Sequence, residues 1–200
     1  MTLNERVISS ALDRYFRSRG LAPIGKFDVF DHIDDSNERT FVIDFAIGPT
    51  ATKGRRTPAV ESDDLSRFRQ EGPPIDRVVD DLLQTCDFPS DEDCQHGWRR
   101  QENPNPMVGL AVEIENAKSK YFLGSLLAAS CTGRWGLLIA PDSAETNHWI
   151  HTVRRMVYKG SSSPIPSNII IFKWNRLETH ISQRICAQQP IAPADAARRR

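Results

Sequence analysis

The apolar positions of this 200-residue chain follow two spacings, and their succession along the sequence sketches a fold. Val7, Ile8, Ala11, Leu12, Tyr15 and Phe16 recur at helical spacing behind Thr2-Leu3-Asn4-Glu5, which has the form of a capping box, and Gly20 is a natural stop. Residues 26–33 alternate loosely, Asp34-Asp35-Ser36-Asn37 is turn chemistry, and residues 40–48 alternate cleanly. In that second stretch Phe41, Ile43, Phe45 and Ile47 share one face, and Val42, Asp44 and Ala46 share the other. The pattern predicts a helix followed by a β-hairpin.

From 49 to 106 the chain is rich in Pro, Asp, Glu and Arg, which predicts a polar, part-ordered insertion or lid. One helical pattern interrupts it near 75–85, through Ile75, Val78, Val79, Leu82 and Leu83. Regularity returns with a strand at 108–115, Asn116 as N-cap, a helix at 117–132 ended by Gly133, and a nearly all-apolar strand at 135–140. The last is what a strand buried on both faces requires. A strand, helix and strand so tightly joined form a right-handed βαβ crossover. An amphipathic helix at 143–159, a strand at 168–174, a weak helix at 177–187 and a disordered tail at 188–200 complete the prediction. The whole reads as one α/β domain over 1–187 with a mixed central sheet.

Composition narrows what this domain does. Hydrophobic residues make up 39% of the chain, enough for a single core. The 26 basic and 26 acidic side chains cancel, so no overall field draws the protein to nucleic acid, and only a local basic patch would serve that purpose. No run approaches the roughly 18 apolar residues of a membrane span, so no membrane partner is expected. Four cysteines without paired spacing, and no secretory stretch at the start, give the expectation of a reducing cytoplasm.

The chemistry-bearing feature is acidic. Glu113 and Glu115 lie two apart on a predicted strand and project from one face, while Leu110, Val112 and Ile114 face the core. Carboxylates at the end of an apolar strand are costly unless they meet water, a base or a cation. Asp44 interrupts another apolar strand on its non-core face. Three such acids from neighbouring strands suit a hard divalent cation, and a metal there activates water and stabilises the leaving oxyanion of a phosphodiester. The competing reading pairs Glu113 and Glu115 with Arg134, Lys118 or Lys120, or leaves them at a wet strand end.

Other candidates weigh less. Cys86, Cys94 and His96 lack the tight knuckle of a zinc site and read as scattered loop residues. Cys131, late in a helix, reads as a small core residue, and His148 and His151 as surface residues. Trp98 reads as packed beneath its loop. Arg55, Arg56, Arg67, Arg69, Arg99 and Arg100 either contact phosphates from a folded-over insertion or are solvated charges. Neither a serine nucleophile elbow nor a phosphate-binding glycine loop is present.

Helix, strand, acid-bearing strand, strand with Glu-x-Glu, helix, strand: this order resembles the αβββαβ core of the PD-(D/E)XK, or restriction-endonuclease-like, nuclease superfamily. The resemblance covers residues 2–48 and 108–141, with the later helix and strand as additions. It implies that Asp44 and Glu113 ligate Mg²⁺ or Mn²⁺, helped by the carbonyl of Ile114. Glu115 stands where the superfamily's motif has Lys. It would be a second ligand or would orient the attacking water, and Lys118 or Lys120 would take over the role of the missing lysine. Glu5 resembles the acid that some members carry on the first helix, although the capping box also accounts for it. The resemblance implies a metal-dependent endonuclease acting on DNA, with Arg55, Arg56, Arg99 and Arg100 drawing in phosphates and a homodimer left open. The alternative is an inactive nuclease-fold module that binds or assembles with a partner protein, which the Lys-to-Glu departure and the balanced charge favour.

Overall fold

The computed structural model describes residues 5–28, 42–50, 68–96, 98–104, 106–115, 121–158 and 167–187. In chain order the elements are α1 (Glu5–Ser18), β1 (Pro23–Asp28), β2 (Val42–Thr50), α2 (Pro73–Leu83) and α3 (Asp91–Gln95). They continue with β3 (Val108–Ile114), α4 (Phe122–Thr132), β4 (Gly133–Ala140), α5 (Ala144–Tyr158), β5 (Ile169–Lys173) and α6 (Trp174–Ala187). The strands lie side by side in chain order. β1, β2 and β3 pair antiparallel, and β3, β4 and β5 pair parallel, so the expected mixed sheet is present.

Both faces of the sheet are covered because the parallel strands are apolar on both sides. On one face Phe45, Ile47, Leu110, Val112, Leu137, Ile139, Ile170 and Phe172 pack against α1, α2 and α6 through Leu12, Phe16, Val79, Leu82, Leu177 and Ile181. On the other, Leu138, Ala140, Ile169 and Ile171 meet α4 and α5 through Phe122, Leu126, Ala129, Ile150 and Val153. Phe27, Ile43, Ala46, Val108 and Ala111 form a smaller cluster. Every residue of β4 is buried, as its continuous apolar run predicts.

The described part of 49–106, expected as a polar insertion or lid, is built into this core. Ile75 of α2 enters a slot made by Gly48 and Gly109 on adjacent strands, and a Cβ at either glycine would overlap its Cδ1. Gly48 also has φ +88, a conformation that excludes most side chains. Behind α2, Phe88 exchanges backbone hydrogen bonds with Ile171 (2.8 and 3.2 Å) and covers the outer edge of β5. The short α3 was not predicted. It starts with a capping box in which Ser90 and Asp93 bond reciprocally, and Arg154 of α5 donates to the buried Asp93 at 2.8 Å.

Several boundaries differ from expectation. β1 starts at Pro23 rather than 26, since a proline is tolerated as the first residue of a strand. The rest of the stretch expected as β1, residues 29–33, lies outside the described residues, as do the turn at 34–37, the tail from 188 and the capping residues Thr2–Asn4. α4 runs into β4 without a loop: the Gly133 N–H closes the helix on Ala129 while its own backbone is already extended. The junction's carbonyls are taken up by Asn103 and Asn168, whose amides donate to Cys131 O and Ser130 O (both 2.8 Å) and to Gly133 O. α6 likewise follows β5 without a loop, starting at Trp174, three positions earlier than predicted. Cys131 is exposed rather than a core residue, whereas Cys86 is buried, its thiol donating to Pro89 O. His148 and His151 are exposed and Trp98 is buried, as expected.

Candidate functional site

In the β2–β3 pair, Phe45 lies opposite Val112 and Ala46 opposite Ala111. One step further along the same register sets Asp44 opposite Glu113, and strand alternation puts both on the face shared by Ala46 and Ala111. The intervening Phe45 and Val112 are committed to the main core, which explains why the acids are the residues turned the other way. The site lies at the end of β3, where the ladder with β4 reaches Ile114↔Ile139 and Glu115 N still donates to Ile139 O at 2.8 Å. This is the carboxyl edge of the parallel strands, where open α/β sheets receive their ligands.

Asp44 is held at both oxygens. Its Oδ2 accepts from the Ile114 backbone N–H at 2.7 Å, standing in for a ladder bond. Its Oδ1 accepts from Lys26 Nζ at 2.5 Å, and Lys26 also donates to Glu5 Oε1 at 2.8 Å. Lys26 stands across from Asp44 because Gly25 pairs with Phe45 and Phe27 with Ile43. It has φ +50, a left-handed backbone conformation that costs a side-chain-bearing residue on the order of 1 kcal/mol. Glu5 thus spends its side chain on Lys26.

Glu113 is half-buried and makes no hydrogen bond or ion pair with any described residue. Burial pushes its carboxyl up to about 8, the neighbouring Asp44 and Glu115 push the same way, and Lys26 pulls against them. Glu115 is only 5% exposed and accepts from Ser125 Oγ of α4 at 3.0 Å. Among the described residues no three His, Cys, Asp or Glu side chains are gathered closely enough to hold one ion. The expected three-acid site therefore reduces to Asp44 facing Glu113, with Glu115 engaged beneath α4.

The remaining candidates separate. Lys118, Lys120, Arg55, Arg56 and Arg67 lie outside the described residues. Arg99 donates to the carbonyls of Cys94 and Trp98. Arg100 pairs with Asp80 and stacks 4.3 Å over the Trp135 ring, and Trp135 is three residues from the Glu113 level of the β3–β4 ladder, about 10 Å along the strands. Asp76, an acid of α2, is bound at that same far end by Arg134 (3.2 Å) and Trp135 Nε1 (3.3 Å). Two residues escaped the sequence reading. Ser125 has no local signal, since its role depends on how α4 lies on the sheet. Lys26 had one: a lone cation across a predicted hairpin from Asp44.

Of the facing pair, Asp44 is hydrogen-bonded at both oxygens, whereas Glu113 has no hydrogen bond or ion pair with a described residue and only the more distant pull of Lys26. No family model, no curated protein and no solved structure matches the chain.

Proposed function

We propose that this protein is a metal-dependent phosphodiesterase that hydrolyses DNA, with an endonuclease-like site formed by Asp44 and Glu113. The observation that carries the reading is the facing pair itself: two carboxyls opposite each other across β2 and β3, one of them half-buried and without a hydrogen bond or ion pair to any described residue, at the carboxyl edge of the parallel strands. The strand order, with two antiparallel junctions followed by two parallel ones, agrees with the αβββαβ succession on which the resemblance rests. Asp44 and Glu113 would hold Mg²⁺ or Mn²⁺, which when bound supplies an acidified water and stabilises charge on phosphate oxygens. The Ile114 N–H keeps Asp44 oriented toward the edge. Lys26 offsets part of the local negative charge, and α4 with Glu115 and Ser125 closes the site from behind. Lys118 and Lys120, which follow Glu115 in sequence, are the further cations proposed to stabilise the charged transition state. Arg55 and Arg56 are proposed for phosphate contact.

The test is cleavage of a mixed DNA substrate in Mg²⁺ or Mn²⁺ against a chelator control. Metal-dependent cutting by the native chain, lost by at least a hundredfold in Asp44→Asn, is expected. Absence of cutting in either metal overturns the reading. A second reading, a module that binds or assembles with a partner protein, is favoured by one observation: Glu115, at the position of the superfamily's lysine, is buried against Ser125.

A further inference from the structure

Three helices of the main-core face meet at one carboxylate. Asp81 of α2 accepts at Oδ2 from Tyr15 Oη and Arg19 of α1 (both 3.0 Å), and at Oδ1 from Arg184 of α6 at 2.5 Å. His180, one turn before Arg184 on α6, has its Nε2 3.2 Å from the same Oδ2 and its Nδ1 2.8 Å from Thr85 Oγ1. The Phe172 ring of β5 packs on it as well. The acid beside Nε2 selects the neutral tautomer with its hydrogen there, so Nδ1 accepts from the Thr85 hydroxyl. Both ring nitrogens are thus satisfied although His180 is only 2% exposed.

The charges around the ring are unequal, since two guanidiniums already share one carboxylate. A proton on the imidazole adds a third cation, and Arg184 stands at i+4 from it, where like charges repel along a helix. Arg184 is held less firmly than Arg19. It is 38% exposed and has Gln84 Oε1 at 2.8 Å as a neutral partner, whereas Arg19 is 25% exposed and lies over the Tyr15 ring. We propose that His180 is an acid-operated latch: protonation of its imidazole frees Arg184 from Asp81 and loosens residues 184–187, the last turn of α6, from α2. The sheet stays folded, and Asp81 keeps Tyr15, Arg19 and the imidazolium. Thr85 is partly exposed, so its hydroxyl turns to accept from Nδ1–H and gives its own hydrogen to water. Burial and the two arginines hold the His180 pKa below its ordinary value, against the pull of Asp81. Once Arg184 has left, one of those charges is gone and the loosened state binds the proton more readily. Loosening is therefore favoured as pH falls below the ordinary histidine value of about 6.5 and is not favoured above it.

Amide hydrogen exchange on the full chain between pH 7.5 and 4.5, corrected for the intrinsic rate, tests this. Residues 184–187 are expected to lose about tenfold in protection, beginning below about pH 6.5, while β4 keeps its own. His180→Gln retains a hydrogen-bonding side chain that cannot become charged, and is expected to hold the protection of that turn constant. Arg184→Gln removes the repelled cation and is expected to cut the pH response to about twofold or less. The imidazole ¹⁵N shifts of the native chain give a readout that needs no variant. His180 is expected to be the Nε2–H tautomer at pH 7.5 and to gain its proton over the range in which the turn loosens. Equal protection at both ends of the range overturns the proposal, as does a loss that begins only near about pH 4, where carboxylates titrate. An undiminished loss in His180→Gln overturns it too, and so does a His180 that stays neutral while the turn loosens.

Discussion

Glu113 and His180 give the folded protein opposite responses to pH. The carboxyl of Glu113 is raised to about 8 by burial and by Asp44 and Glu115, so the fold holds a proton there that the unfolded chain releases near its ordinary value of about 4.5. Its contribution to stability is complete below that value and is lost as pH rises toward 8. Glu113→Gln is expected to remove this slope and to stabilise the metal-free protein at pH 8 by about 1–3 kcal/mol, allowing for its partial exposure. Denaturant midpoints measured from pH 5 to 8.5 check it, and an unchanged slope contradicts it. His180 is buried between Tyr15, Asp81 and Thr85, with Thr85 Oγ1 2.8 Å from its Nδ1 and Asp81 Oδ2 3.2 Å from its Nε2. Burial lowers its pKa, Arg184 and Arg19 add to that, and Asp81 opposes them. Its contribution is present above the ordinary histidine value and is lost as pH falls below it, toward the lower folded value. His180→Gln is expected to flatten the acid side of the same profile, and a profile that still falls as steeply contradicts this assignment.

The elements most exposed to single substitutions are those of the 49–106 region. Ile75 fills a slot that only two glycines could leave open, so Ile75→Ala creates a cavity the strands cannot close and is expected to cost about 2–5 kcal/mol. Thermal or denaturant unfolding measures it, and a loss below 1 kcal/mol would show that α2 docks less tightly than its packing requires. Arg154→Met removes the Arg154 ion pair of Asp93, 3% exposed at its side chain, and is expected to cost about 3–5 kcal/mol, loosening α3 from α5. These elements also mark where sequence reading was weakest. α2 was legible from Ile75, Val78, Val79 and Leu82, but its partner was not, because the slot exists only once Gly48 and Gly109 are adjacent. The α4–β4 junction was misplaced by two residues because Asn103 and Asn168, remote in sequence, supply the bonds that replace a loop. The strands were legible wherever one face is committed to the core, as in Phe45 and Ile47, and least so in β1, where Lys26 breaks the alternation.

At the scale of the molecule, a strand order built outward from β3 and β4 places Asp44 and Glu113 at one edge. Asp44 and Glu113 were legible as a pair because each interrupts an apolar strand on its non-core side. Glu115 looked like a third member from its spacing alone, and its engagement with Ser125 depends on the tilt of α4, which no local pattern encodes. Among the described residues no helix is long and apolar enough to cross a membrane. The charge at this edge is local: Glu113, without a hydrogen bond or ion pair among the described residues, its paired neighbour Asp44, and one lysine shared with α1. The claim that this edge is a cation site is tested most directly by Mg²⁺ titration of the native chain beside Glu113→Gln, followed by calorimetry at pH 7.5. Saturable one-to-one binding in the native chain, weakened at least tenfold in Glu113→Gln, is the predicted result. Equal binding by the two chains would contradict the account.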